Sequence, residues 1–191
     1  MKKEKIKKYS VIVGAVLLIV IITLYYLIGE LGGNSLRVRF NLLLHKKEYV
    51  EVMKKFLVQD KLKNIAFNIN YDIINNCSNH PDDYVDMHEI WVCDLGNYPN
   101  ETEIKLENRE AVLRYLEIPK EEYLYFANFM QKYHLDGIGK DEEKRYVEIT
   151  DSLKGLRYYE EENSNDFVTN REYLSVKKID NHWFIFSTDW N

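Results

Sequence analysis

The sequence predicts an α+β protein: an N-terminal single transmembrane helix, then one extracytoplasmic domain with three helices and an antiparallel sheet ending in a β-hairpin. Three observations predict this fold class. Residues 9–29 carry no charge, later segments repeat apolar residues at helical spacing, and the C-terminal part alternates apolar and polar residues as strands do. We therefore divide the chain into a cytoplasmic basic tail at 1–8, an anchor at 9–29, a linker at 30–35 and a domain at 36–191.

The uncharged segment 9–29 is long enough to cross a bilayer, because its helix would span about 31 Å against a hydrocarbon core of roughly 30 Å. Basic residues close to a span stay on the cytoplasmic side, and five lysines precede this segment: Lys2, Lys3, Lys5, Lys7 and Lys8. The sequence thus predicts a single-pass signal anchor in the cell membrane, with the N-terminus cytoplasmic and the domain outside. A cleaved signal peptide is the alternative, although no small-residue cleavage site follows the apolar run.

Charge and composition restrict the partners of the predicted domain. Beyond the first 30 residues the chain carries 21 basic and 29 acidic side chains. Nucleic acid binding needs the opposite balance, so we expect no nucleic acid partner. Lys, Asn, Ile, Tyr and Glu dominate the sequence, which is typical of an AT-rich bacterial genome. No cofactor motif occurs, and no cofactor is expected.

The first half of the domain begins with helical periodicity and changes to strand periodicity. Apolar residues recur seven apart within a helix predicted at about 42–59. From Ile65 to Ile73, apolar and polar residues then alternate, which predicts the clearest strand of the chain. A polar loop at 75–83 leads to a second strand predicted at 84–93. Because the loop is short, we expect the two strands to pair antiparallel.

Two further helices are predicted from their ends. Asn108 can cap a short helix that ends at about Glu117. Pro119 suits a first helical position, and the acidic residues that follow it favour the positive end of a helix. We expect this last helix to end at the glycines Gly137 and Gly139.

The C-terminal part predicts four strands, at 146–150, 155–160, 172–179 and 182–188. The last two are expected to form a hairpin, because Asp180 and Asn181 tolerate the positive φ that a two-residue turn requires. In that register Val176 and Trp183 share one face of the sheet, while Phe184 lies on the other. Both faces of the hairpin are apolar enough that we expect another part of the structure to pack against each of them.

The hairpin segment at 173–185, YLSVKKIDNHWFI, resembles the closing hairpin of many small bacterial exported α+β domains. Cystatin-like and nuclear-transport-factor-2-like domains are among them. The resemblance is confined to this segment. It implies a hairpin here and assigns neither a family nor an activity.

Cysteine and histidine gather in one stretch of the domain, at Cys77, His80, His88 and Cys93. A disulfide between Cys77 and Cys93 is favoured, because both thiols are predicted to lie outside the cytoplasm and their number is even. Closing this loop would contribute roughly 3 kcal/mol in the chain-entropy model. A Cys2His2 metal site is the second interpretation, although C-x2-H-x7-H-x4-C is not a standard zinc spacing. Buried free thiols are the third.

Carboxylates accompany the histidines of this stretch, at Asp82, Asp83, Asp86 and Glu89. Together with His80 and His88 they could bind Ca²⁺ or supply general acid and base groups. This gives the alternative function, a small extracytoplasmic hydrolase or metal-assisted enzyme. No calcium-loop or paired-carboxylate spacing occurs, so a solvated acidic loop is favoured and no catalytic or metal-binding residue is assigned.

Aromatic residues concentrate near the C-terminus. Tyrosine and tryptophan serve both cores and binding faces. Five aromatic residues form a candidate binding face: Tyr158, Tyr159, Trp183, Phe184 and Trp190. At least two must be solvent accessible if the face contacts a partner. The function predicted from sequence is a non-enzymatic, membrane-anchored extracytoplasmic binding domain that recognises a protein or peptide through this aromatic-rich sheet.

Overall fold

The structure, a computed structural model, describes residues 13–24, 34–67, 71–79, 89–94, 103–143, 145–162 and 173–188. These ranges contain four helices: α1 at 13–24, α2 at Asn34–Leu57, α3 at Arg109–Tyr115 and α4 at Lys120–Tyr133. The strands of the first half are β1 at Asn64–Phe67, β2 at Asp72–Ile74, β3 at Cys77–Ser78, β4 at Trp91–Cys93 and β5 at Ile104–Leu106. The strands of the second half are β6 at Gly137–Asp141, β7 at Tyr146–Asp151, β8 at Lys154–Tyr159, β9 at Tyr173–Lys178 and β10 at Trp183–Thr188.

Helix α1 is the described part of the segment predicted to cross a membrane. Its twelve described residues are fewer than the roughly 20 apolar residues that a span needs, and the longer α2 carries charged side chains along its length. Within the described ranges, no helix is both long and apolar enough to cross a membrane. The predicted fold class, a transmembrane helix at 9–29 followed by a three-helix domain, is therefore wrong. The signal-anchor, single-pass and cell-membrane predictions that depended on it are wrong with it.

A single antiparallel sheet contains all ten described strands, in the order β5-β4-β3-β2-β1-β6-β7-β8-β10-β9. Strands that follow one another in the chain pair with each other except at two places. At the centre β1 pairs with β6, with Ile65 opposite Ile138, so the chain from β2 to α4 forms one long connection between them. At the C-terminal edge, β10 lies between β8 and β9.

One face of the sheet carries the main core. Cross-strand partners share a face because side chains alternate along each strand. A row of such partners crosses eight strands: Cys93, Cys77, Ile74, Ile65, Ile138, Ile149, Leu156 and Ile185. Helices α2 and α4 cover this face, with Met53 and Phe56 of α2 and Phe126 of α4 fully buried. The Phe56 and Phe126 rings meet edge to face at 4.9 Å, a geometry that aromatic rings favour.

The opposite face carries a smaller aromatic cluster around a buried arginine. Arg157 of β8 is 4% exposed, pairs with Glu148 and lies 4.0 Å above the Tyr146 ring centre. Tyr159 packs edge to face against Phe184 in the same cluster. The Arg157 guanidinium is thus held both by a carboxylate and by aromatic rings. These contacts offset the free-energy cost of removing its charge from water.

The strand predicted from Ile65 to Ile73 is two strands. β1 and β2 pair with each other antiparallel, with Ile65 opposite Ile74 and Ala66 opposite Ile73. The alternation of apolar and polar residues continues across the connection, so periodicity alone cannot locate the reversal. The predicted strand at 84–93 is described only at its end, as β4, and residues 84–88 lie outside the described ranges.

Three residue signals were predicted to mark helix ends, and one of them is confirmed. The Asn108 side chain accepts a hydrogen bond from the Ala111 amide at 3.0 Å, which confirms the predicted cap of α3. Pro119 is the N-cap of α4 and not its first helical residue. The helix ends at Tyr133, and its C-cap His134 adopts the left-handed conformation at φ 52°. Gly137 lies within β6 instead, where a Cβ would collide with the Thr150 hydroxyl.

The closing hairpin pairs one residue out of the predicted register. Phe186 lies opposite Val176, so Val176 shares a face with Phe186 and not with Trp183. The predicted two-residue turn at Asp180 and Asn181 is wrong. The Asp180 side chain accepts hydrogen bonds from the amides of His182 at 2.9 Å and Trp183 at 3.0 Å, so the turn extends beyond these two residues. This capping lengthens the connection between the strands and so shifts the register.

Two glycines in the sheet provide a matched test of the packing. A Cβ at Gly155 would collide with the Ile149 carbonyl oxygen and the Phe186 ring, whereas at Gly139 the nearest atom is Asn64 Cβ at 3.6 Å. We expect Gly155→Ala to lower the free energy of unfolding by about 1–3 kcal/mol, the range for overpacking, and Gly139→Ala to lower it far less. Urea denaturation of both variants measures the difference. Equal losses would contradict the described pairing of β8 and β10.

Candidate functional site

The candidate binding face is buried in its described members. Exposure is 2% for Tyr158, 4% for Tyr159, 0% for Trp183 and 6% for Phe184, and Trp190 lies outside the described ranges. Trp183 packs on Tyr158 within the main core, and Phe184 packs on Tyr159 on the opposite face. Since a buried side chain cannot touch a partner, these four residues offer no recognition surface in this conformation.

Burial on both faces gives a testable expectation for the hairpin. Trp183→Ala and Phe184→Ala should each lower the free energy of unfolding by about 3–5 kcal/mol, as large-to-small core substitutions do. Ile179→Ala on the same hairpin is the control, because Ile179 is 37% exposed and should cost less than about 1 kcal/mol. Denaturant unfolding measures all three. A loss at Phe184 no greater than that at Ile179 would contradict its burial.

The cysteines are brought together by the sheet, whereas most of the histidine and acid stretch is not described. Cys77 of β3 lies directly opposite Cys93 of β4, with their Cα atoms 3.9 Å apart and their sulfurs bonded. His80, His88, Asp82, Asp83 and Asp86 lie outside the described ranges. Glu89 is described, and no cluster of three His, Cys, Asp or Glu side chains suited to a metal occurs in the described part of the chain.

The disulfide has a direct chemical test. If the bond is present in the protein that cells produce, no thiol should react with an alkylating reagent before reduction, and two should react afterwards. The double variant Cys77→Ser, Cys93→Ser should have a lower melting temperature. Its free energy of unfolding should fall by roughly 3 kcal/mol, because the unfolded chain regains the conformational freedom of an open loop. Two thiols that react in freshly lysed, alkylated cells would contradict the disulfide.

A polar cleft of about 660 Å³ lies where the two halves of the sheet meet. Its lining includes Phe67 at the end of β1 and Asp72 at the start of β2 on one side of the β1–β6 pairing. On the other side it includes Asp136, just before β6, and Asp151 at the end of β7. Helix α4 forms one wall, and Arg37 and Arg109 lie among the lining residues. Five acidic or amide side chains also line the cleft: Asp72, Asn128, Gln131, Asp136 and Asp151.

Arg109, the first residue of α3, is held on three sides. Its guanidinium carbon lies 6.0 Å from the Trp91 ring centre and 5.7 Å from the Tyr123 ring centre, and a terminal nitrogen donates to Asp72. The side chain is nevertheless 40% exposed. Its Nε–H is buried and has no acceptor among the described residues. Aromatic rings and a carboxylate therefore orient a cation at the edge of the cleft.

Tyr123 contributes a hydroxyl that keeps its proton. Burial raises the pKa of Tyr123 to about 12, and the nearby Arg109 only partly opposes this effect. At neutral pH the ring is thus neutral, and its face can attract the Arg109 cation.

A second arginine pair forms the other charged part of the cleft. Arg37 Nε donates to Asp151 Oδ2 at 3.0 Å, and Arg37 Nη2 donates to the His134 carbonyl at 3.3 Å. The Asp151 side chain is 3% exposed, and burial raises the pKa of its carboxyl although Arg37 opposes the rise. The pair ties the start of α2 to the end of α4 and to β7.

The wall formed by α4 is the exposed edge of an amphipathic helix. Leu124, Asn128 and Gln131 recur three and four residues apart and line the cleft, while Ala127 and Met130 beside them are buried. Sequence reasoning predicted the helix α4 but no cleft. The only signal was the polar character of the opposite edge, which a surface helix shows in any case.

No family model, curated protein or solved structure matches this chain. Residue roles therefore have to be argued from the chemistry of the cleft itself. Its described lining offers oriented charges of both signs and amide groups, an arrangement suited to holding a polar ligand.

Proposed function

We propose that the protein is a non-enzymatic binding domain that recognises a protein or peptide segment in the cleft between α4 and the sheet. The observation that carries this proposal is the cleft itself, a 660 Å³ opening whose charged side chains are already fixed by partners. Its volume lies within the range of known ligand sites, which are about 300–1,000 Å³.

Preorganisation supports binding at this place. Arg109 is held by two rings and Asp72, and Arg37 is held by Asp151 and the His134 carbonyl. A ligand that meets side chains already in place does not have to pay for ordering them. Peptides present amides and charges of both signs, and the cleft offers complementary groups to each of these.

The cleft also replaces the surface predicted from sequence. Tyr158 and Trp183 are needed inside the core, whereas Asn128 and Gln131 are exposed on α4 and line the opening. The proposal therefore keeps the predicted ligand class, a protein or peptide, and assigns it to a different surface. For the alternative hydrolase, the required residues His80 and His88 lie outside the described ranges, and no observation favours it.

Site-specific photocrosslinking in the producing cells tests the proposal. A photoreactive amino acid replaces Asn128 in one variant and Glu121 in the other, since both side chains are exposed on α4 but only Asn128 lines the cleft. We expect a discrete adduct from position 128, reduced by an excess of unlabelled protein, and none from position 121. Mass spectrometry identifies the linked polypeptide. Equal, non-saturable labelling at both positions would contradict binding in the cleft.

A further inference from the structure

We propose that the cleft recognises a carboxylate group of its ligand and that Arg109 binds this carboxylate. The inference rests on the proposed function, because it names the chemical group that the cleft selects. The proposed function names only a cleft, whereas this inference names one residue, Arg109, and one chemical group, a carboxylate.

The first step is the orientation of the guanidinium. Trp91 is fully buried in the core and Tyr123 is 2% exposed, so neither ring can turn away from Arg109 without disturbing the core. The two ring centres lie 6.0 and 5.7 Å from the central carbon of the guanidinium. Because the rings contact the group in this way, it can donate hydrogen bonds only from the N–H groups on its edge. An arginine oriented in this way is suited to a planar, two-oxygen acceptor.

The second step is the unused hydrogen-bonding capacity of Arg109. A guanidinium has five N–H groups, and within the described ranges only Asp72 accepts from this one. No described residue accepts from Nη1, and Nε–H likewise has no acceptor. The side chain lines the cleft and is 40% exposed. A ligand oxygen entering the cleft can therefore reach the terminal end of an arginine that still has donors to offer.

The third step is the charge of the surroundings, which selects among anions. Asp72 already neutralises Arg109, and Asp136 and Asp151 also line the cleft. A phosphate carries nearly two negative charges at neutral pH, so these carboxylates repel it about twice as strongly as they repel a singly charged carboxylate. A carboxylate carries a single charge, and its two oxygens match the guanidinium edge. A peptide C-terminus or an acidic side chain supplies this group.

The experiment compares matched small probes on the ¹⁵N-labelled full chain by NMR. N-acetylglycine presents a carboxylate, N-acetylglycinamide replaces it by a neutral amide of the same shape, and inorganic phosphate is the third probe. The side-chain N–H signals of Arg109 and Trp91 are the reporters, because both groups are buried without a described acceptor. We expect N-acetylglycine to shift the Arg109 signal saturably, and the amide and phosphate to shift it much less at equal concentration.

Substitutions of Arg109 and of its partner Asp72 should change the affinity for N-acetylglycine in opposite directions. Arg109→Lys keeps the charge but loses the planar fork and should weaken N-acetylglycine binding by about tenfold, the scale of one charge-assisted hydrogen bond. Asp72→Asn removes the competing negative charge but keeps a side-chain oxygen that can accept from Arg109, so the guanidinium stays oriented and binding should tighten by a similar factor. A gain of affinity cannot arise from misfolding. Arg114→Lys is the control, since Arg114 is exposed on α3 and does not line the cleft.

Each outcome has a defined meaning. Equal shifts from the acid and the amide would overturn carboxylate recognition while leaving the cleft as a binding site. Equal shifts from phosphate would overturn the selection for carboxylate. Weaker binding by Asp72→Asn, or no response at Arg109 while crosslinking at position 128 succeeds, would overturn the role of Arg109 alone. Failure of the crosslinking as well would overturn the proposed function.

Discussion

The pairing of β1 with β6 joins the two halves of the sheet through a short ladder. The Phe67 amide donates to the Asp136 carbonyl at 2.6 Å and the Lys140 amide donates to the Lys63 carbonyl at 3.0 Å, one at each end of the ladder. The cleft lies where these halves meet, so Phe67 and Asp72 of its lining stay close to Asp136 and Asp151 only while the ladder is intact. The buried Lys140 ammonium also donates to backbone carbonyls at the end of α2, including that of Leu57 at 3.4 Å. One strand therefore fixes the sheet and the main covering helix together.

The disulfide and the cleft are connected through β4. Trp91, on which Arg109 rests, lies in the same three-residue strand as Cys93, and Cys93 is bonded to Cys77 of β3. Strands this short have few ladder hydrogen bonds of their own, so a covalent link between them contributes a large share of their stability. The orientation of the arginine thus depends on a cross-link at a distance from the cleft opening. Under the proposed function, this connection gives the disulfide a consequence for binding as well as for folding.

Local signals predicted the local structure better than the arrangement. Asn108 was predicted as the cap of α3 because its side chain acts within its own turn, a purely local effect. The division of the strand predicted at 65–73 was missed because period-two alternation is the same on both arms of a hairpin. The N-terminal span was predicted from an uncharged run, and the structure has no spanning helix in its described part. The cleft was missed because Trp91, Arg109 and Tyr123 meet only through tertiary packing, which no spacing in the sequence records.

The central claim is that the β1–β6 ladder holds both halves of the sheet, and hence the cleft, as one cooperative unit. Native-state hydrogen exchange in increasing denaturant tests it most directly. The amides to follow are those of Phe67 and Lys140 in the ladder and that of Tyr159, which donates to the His182 carbonyl within the second half. The account predicts that all three exchange with the same opening free energy and the same denaturant dependence, that of global unfolding. Exchange of Phe67 and Lys140 through an opening of lower free energy, with Tyr159 still protected, would contradict it.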